Sequence, residues 1–182
     1  MKKVLIVLGI VFGVILIISV LANLGSTDIT KDVKVEPIAE KKANWSLSEI
    51  TDKMTSVKKY YAVCKSTNTI EFQFPYQGGS YFTLTVRNSG KGNEVVINVS
   101  KGQFMPSLNS EESVKVKFDD GKPIDYTYLS ASDGSSDVIF LNNENNFIKK
   151  LKVSKKLMIE TTFFNEGSKI MEFDINGLNW KH

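Results

Sequence analysis

Thr69-Ile70-Glu71-Phe72-Gln73-Phe74 and, a few residues on, Ser80-Tyr81-Phe82-Thr83-Leu84-Thr85-Val86 repeat apolar side chains at every second position. A period of two puts Ile70, Phe72 and Phe74, and then Phe82, Leu84 and Val86, on one face of an extended chain. Between the two runs stands Pro75-Tyr76-Gln77-Gly78-Gly79, residues that favour a reversal. The same rhythm begins at Tyr60 and recurs at residues 94–99, 113–118, 124–129, 137–141, 157–164 and 169–175. Further turn signals separate these runs at residues 88–92, 119–123 and 165–167. Many short strands at this spacing predict a mainly β protein, an antiparallel β-sandwich or barrel-like sheet. Phe72, Phe74, Phe82, Leu84, Val86, Phe118, Phe140, Phe163 and Phe173 are its expected core.

One or two short helices are expected beside the strands. Ser46 or Ser48 is placed to cap a helix running to Met54, with Glu49 and Asp52 near its positive end. Residues 143–156 put Phe147, Ile148, Leu151 and Ser154 on one helical face and lysines around the other, which predicts an amphipathic helix lying on the sheet.

Ahead of the β-rich region, Met1-Lys2-Lys3 leads into residues 4–22, nineteen positions without a charge and with Ser19 the most polar. At about 1.5 Å per residue this run nearly matches a hydrocarbon core of about 30 Å. Lysines on the short side stay cytoplasmic, which puts the remainder of the chain outside. Val20-Leu21-Ala22 is compatible with signal-peptide cleavage, but the apolar run exceeds the roughly 7–15 residues of a cleavable core. The expected organisation is therefore an uncleaved anchor over residues 1–24, a polar tether over 25–44 and an extracytoplasmic β-rich domain over 45–182. Such a chain sits in a membrane through residues 4–22, with its C-terminal domain on the outer side; in a bacterium these are the inner membrane and the periplasm.

Charge narrows the functional classes. Formal net charge is +3, and with Lys2 and Lys3 set aside 21 basic side chains face 20 acidic ones, a balance of +1. General nucleic-acid binding requires a larger basic excess, and Arg87 is the only arginine, so no nucleic-acid partner is expected. Cys64 is the only cysteine and is flanked by Tyr60-Tyr61-Ala62-Val63, which suits a core thiol. His182 is the only histidine, so serine and cysteine triads and multi-ligand zinc sites lack their components. Asp119 and Asp120, beside Gly121 and Pro123, read as turn residues rather than an acid pair. Asp133-Gly134-Ser135-Ser136-Asp137 offers oxygens but not the spacing of a calcium loop. Asn44-Trp45-Ser46 and Asn98-Val99-Ser100 match a glycosylation sequon that matters only in a eukaryotic secretory setting. No catalytic residue, metal or cofactor is assigned. Core packing is the plainer reading of Phe74, Tyr76 and Trp180, and a solvated helix face that of Lys149, Lys150, Lys152, Lys155 and Lys156; as exposed rings and a cationic face the same residues form the candidate binding surface.

Taken together, residues 45–180 resemble a bacterial family associated with type VI secretion, the VasI or TagO-like group. The resemblance is carried by Trp45-Ser46 with Asp52-Lys53-Met54, by residues 72–79, by Gly102-Gln103-Phe104, by residues 114–123 and by Ala131-Ser132-Asp133. It continues through Ile139-Phe140-Leu141, Phe147-Ile148, Leu151, Phe163-Phe164 and residues 173–178. The resemblance implies an envelope accessory protein with no established reaction, and it supplies no catalytic residues. The leading expectation is a non-catalytic binding module with an envelope-protein or wall-polymer partner. A phage or plasmid exclusion or immunity-type protein that blocks passage of DNA or toxin is the alternative, and a cell-wall-active enzyme is the third.

Overall fold

The computed structural model describes residues 44–105 and 112–182. The anchor and nearly all of the tether expected from the sequence lie outside the described residues. Among the described residues, no helix is long and apolar enough to cross a membrane.

Nine strands form one antiparallel sheet. They are β1 (Trp45–Thr51), β2 (Lys58–Lys65), β3 (Phe82–Asn88), β4 (Asn93–Val99), β5 (Ser113–Phe118), β6 (Ile124–Ser130), β7 (Val138–Leu141), β8 (Lys156–Phe163) and β9 (Gly167–Asp174). Their spatial order is β1-β2-β3-β4-β7-β6-β5-β8-β9. One helix, α1 (Glu144–Val153), joins β7 to β8. The architecture is thus mainly β with one short helix among the described residues. The ladder does not close, since β1 and β9 stand at its two ends.

Alternation fixes the inner face. Phe82, Leu84 and Val86 of β3 are fully buried, as are Val95 and Ile97 of β4 and Leu157 and Ile159 of β8. Phe163 is the hub of the core: its ring lies 5.1 Å from Phe72, 5.6 Å from Phe82 and 5.0 Å from Phe104. Pairs at such distances add about 0.5–1.5 kcal/mol each beyond the area they bury. Close packing here also explains Gly102 (φ +121), where an added Cβ would stand 2.8 Å from Phe72 Cε2.

The chain between β2 and β3 is hydrogen-bonded to β9 at the far end of the ladder. The Thr67 N–H donates to Glu172 O (2.7 Å), and Asn68 Nδ2 donates to Ile170 O while its Oδ1 accepts the Glu172 N–H. The Gln73 N–H then reaches Glu166 Oε1 (2.7 Å). Residues 66–73 therefore run along β9 and occupy polar groups that a bare edge strand would present to solvent. This corrects the strand expected at residues 69–74, which has only the Ile70–Ser80 bridge. The bonds to β9 are made just before it, by Thr67 and Asn68, while Glu71 and Gln73 bond Gly79 and the Glu166 side chain rather than a ladder partner.

The helix expected near residue 50 is instead β1, paired with β2 from Trp45 opposite Cys64 to Thr51 opposite Lys58. Asp52 does not support a helix. Its Oδ1 accepts the Met54 and Thr55 N–H groups and its Oδ2 takes Lys59 Nζ at 2.9 Å, which builds the β1–β2 turn. Helix α1 occupies 144–153 of the expected 143–156, with Phe147, Ile148 and Leu151 buried. Ser154 is extended and caps the helix through its N–H to Lys150 O. Two expected core phenylalanines are only half-buried. Phe140 is on the face opposite Ile139 and Leu141, under the Arg87 guanidinium at 5.6 Å, and Phe118 packs edge-on against Phe147.

Candidate binding surfaces

Residues 72–79 form a turn held from both sides. Phe72 anchors it in the core, and the Gln73 N–H is fixed by Glu166. The Tyr76 N–H donates to Gln73 O at 2.9 Å, and the Phe74–Pro75 peptide bond is cis. Lys101 Nζ donates to Gln77 O (2.9 Å) and Gly78 O (3.2 Å), and the Gly79 N–H donates to Glu71 Oε2. Gly78 and Gly79 both have positive φ (85° and 72°), a pair of conformations that residues with a Cβ avoid. At the apex of this fixed turn Phe74 is 83% exposed. Phe74 is therefore not a core residue, and the reason is local: the reversal breaks the alternation after Phe72. Tyr76 is half-buried and packs against the core.

Two further apolar side chains emerge from segments stitched to this turn. Phe164, 53% exposed, lies in the β8–β9 turn, and its N–H donates to Gln103 O at 3.0 Å. Met105 is exposed, and its N–H donates to Thr162 O. Sequence reading did not single out either one. The adjacent pair Phe163-Phe164 carried a usable signal, because neighbours on a strand face opposite ways and only one can enter the core. An exposed phenylalanine forgoes about 1.5–3 kcal/mol of burial, so a rigid turn displaying one is costly for a domain that has no use for it.

Trp180 does not belong to this surface. It is only 4% exposed, with Nε1 donating to Asn93 Oδ1 at 3.2 Å. The Asn93 Nδ2 in turn reaches Asn145 Oδ1 and His182 O. His182 stacks on Tyr60 at 3.6 Å and meets Trp180 edge-on at 5.1 Å. This is the core-packing reading of the indole, and the asparagine that accepts its N–H is 87 residues away.

The five lysines fall into two groups. Lys149 and Lys152 point to solvent from α1, while Lys150 is half-buried with Nζ 5.6 Å from the Phe118 ring. Lys155 and Lys156 lie beyond the helix and line a groove of about 530 Å³ with Thr67, Met158, Glu172 and Asp174. Their backbone N–H groups donate to Asp119 Oδ1 at 2.9 and 2.8 Å. Those two donors, Lys156 first, hold the Asp119 carboxyl below its ordinary range. One cationic helix face is thus replaced by two separate sites, and carboxylates share the groove.

The remaining polar candidates serve structural ends. Asp119 (φ 46) closes the β5–β6 turn and ties it to the α1–β8 junction. Asp133 Oδ1 accepts the Ser135 N–H, and Asp137 Oδ2 accepts from Asn98. Among the described residues, no group of three or more His, Cys, Asp or Glu side chains is arranged to hold a metal ion. Cys64 is fully buried. Desolvation, then the charge of Asp174, pushes its thiol up to about 12. No protein-family model matches the chain, and neither curated proteins nor solved structures give a significant match.

Proposed function

We propose that this chain is a membrane-anchored, non-catalytic binding module of the bacterial envelope, with a protein partner that receives Phe74. The observation that carries this reading is the 83% exposure of Phe74 at the apex of a turn fixed by Glu166, Lys101 and Glu71. A pre-ordered aromatic ring loses little entropy on binding, and such rings are typical anchors at protein interfaces. Phe164 and Met105 are further exposed apolar side chains, on segments hydrogen-bonded to this turn through Glu166 and Lys101. The apolar run at residues 4–22 supports attachment to the inner membrane with the domain in the periplasm. The resemblance to the VasI or TagO-like group supports an accessory role beside a type VI secretion machine.

The test is a photoreactive amino acid placed at position 74 of the full chain in native membranes, with position 160 on the outer face of β8 as control. A discrete adduct formed from position 74 and not from 160 is expected. Equal labelling from both positions would remove Phe74 as the contact.

A further inference from the structure

We infer that the free edge of β1 pairs with β1 of a second copy of this chain, extending the sheet antiparallel across a two-fold axis. The observation behind this is an asymmetry between the two ends of the sheet. Along β9, residues 66–73 supply hydrogen-bond partners through Thr67, Asn68 and Gln73. Along β1 the contacts are confined to its start, where Asn44 Nδ2 reaches Asp174 O and the Trp45 indole reaches Ile175 O; among the described residues its only strand neighbour is β2.

β1 also lacks the features that ordinarily protect an edge. Its seven residues, Trp-Ser-Leu-Ser-Glu-Ile-Thr, contain no proline or glycine and one charge. That charge, Glu49, is neutralised by Lys58 of the neighbouring strand at 2.7 Å. Leu47 is 54% and Ile50 55% exposed, on opposite faces of the strand, so both sides offer apolar surface to an added neighbour. A β-prone run with one paired charge and without proline or glycine is the kind of segment that pairs with copies of itself.

The occupant follows from the same two edges. An antiparallel β1–β1 pair centred on Ser48 sets Leu47 opposite Glu49 and Ser46 opposite Ile50, with no like charges facing each other. Because β9 is already covered, self-pairing stops at two copies. A closed dimer results, where two open edges would propagate into a filament. This inference does not depend on the Phe74 contact and fails separately from it.

Cysteine crosslinking of the full chain in native membranes tests it. Cys64 is fully buried, so an introduced thiol is the reporting one. Under mild oxidation Ser48→Cys is expected to give a covalent dimer, whereas Ser168→Cys on β9 stays monomeric. Adding Ile50→Lys, at an exposed position, is expected to reduce the Ser48→Cys dimer to the Ser168→Cys level while the melting temperature holds. Four results would overturn the inference: no dimer from Ser48→Cys or from Cys at Ser46 or Ile50, a dimer indifferent to Ile50→Lys, higher oligomers, or an adduct with a different chain.

Discussion

Trp45 donates its indole N–H to the carbonyl oxygen of Ile175 at 2.9 Å, joining positions 130 residues apart. The bond is buried and ties the start of β1 to the end of β9, which the ladder leaves unconnected. Trp45→Phe keeps most of the ring but leaves the Ile175 carbonyl without this donor, a loss of about 1–3 kcal/mol. Trp45→Ala adds a cavity and should cost about 3–5 kcal/mol. Urea unfolding midpoints of both variants check this. A wild-type midpoint for Trp45→Phe would leave residues 66–73 as the only significant bridge.

Asp119 and Asp52 set the acid limb of stability. The carboxyl of Asp119 is held low by the Lys156 and Lys155 N–H groups, and that of Asp52 by Lys59 and then by backbone donors. A folded-state pKa below the unfolded one means stability is present above the unfolded value of about 3.9 and is lost as pH falls below it. Unfolding midpoints should therefore drop between about pH 4 and 2, and Asp119→Asn should flatten that drop by lowering the midpoint near neutrality while leaving the acid end of the curve in place. An unchanged acid limb would mean the Asp119 contacts persist in the unfolded chain.

Cys64 should be chemically silent in the folded protein. With its thiol pushed up to about 12 and its side chain fully buried, a thiol reagent at neutral pH has neither access nor thiolate. Ellman's reagent should register no thiol in the native domain and one per chain in urea. Rapid native labelling would show that β2 opens readily.

The lysines separate by environment. Lys149→Gln and Lys152→Gln should each change stability by less than about 0.5 kcal/mol. Lys150→Gln should cost about 0.5–1 kcal/mol, because its ammonium lies over the Phe118 ring. Thermal melts of the three variants give the order directly. Retention on anionic liposomes should be unchanged in each, since the proposed contact is apolar; a salt-sensitive loss would point to the helix face instead.

Much of the sheet was legible because its core strands alternate. Phe82, Leu84 and Val86 fall on one face by period alone, and the β8–β9 hairpin announces itself at Asn165-Glu166-Gly167. β1 was not legible. Ser46, Glu49 and Asp52 match helix-start chemistry, and the pairing with residues 58–64 that overrides it is a tertiary fact. The same holds for residues 69–74, which alternate through Phe72 but have only the Ile70–Ser80 bridge and a bond from the Gln73 N–H to the Glu166 side chain. At the candidate surface, Lys149 and Lys152 face solvent as the helical period predicts, whereas Phe74, expected in the core, is exposed because the reversal at Pro75 breaks the alternation. Trp180 follows the core-packing reading and not the surface one, and Asn93, which accepts its indole N–H, is far away in sequence. Lys155 and Lys156 were put on the helix because nothing in their own sequence reveals that Asp119 ends it and starts β8 there.

Phe74→Ala, assayed for stability and for partner capture on the same preparation, tests the central claim most directly. Phe74 makes little of the core, so its truncation should shift stability by less than about 0.5 kcal/mol, whereas Phe82→Ala should cost about 3–5 kcal/mol. In crosslinked native membranes the same Phe74→Ala chain should lose the protein that co-purifies with wild type. An intact melt with undiminished capture would contradict the claim, because the displayed ring would then have no part in binding.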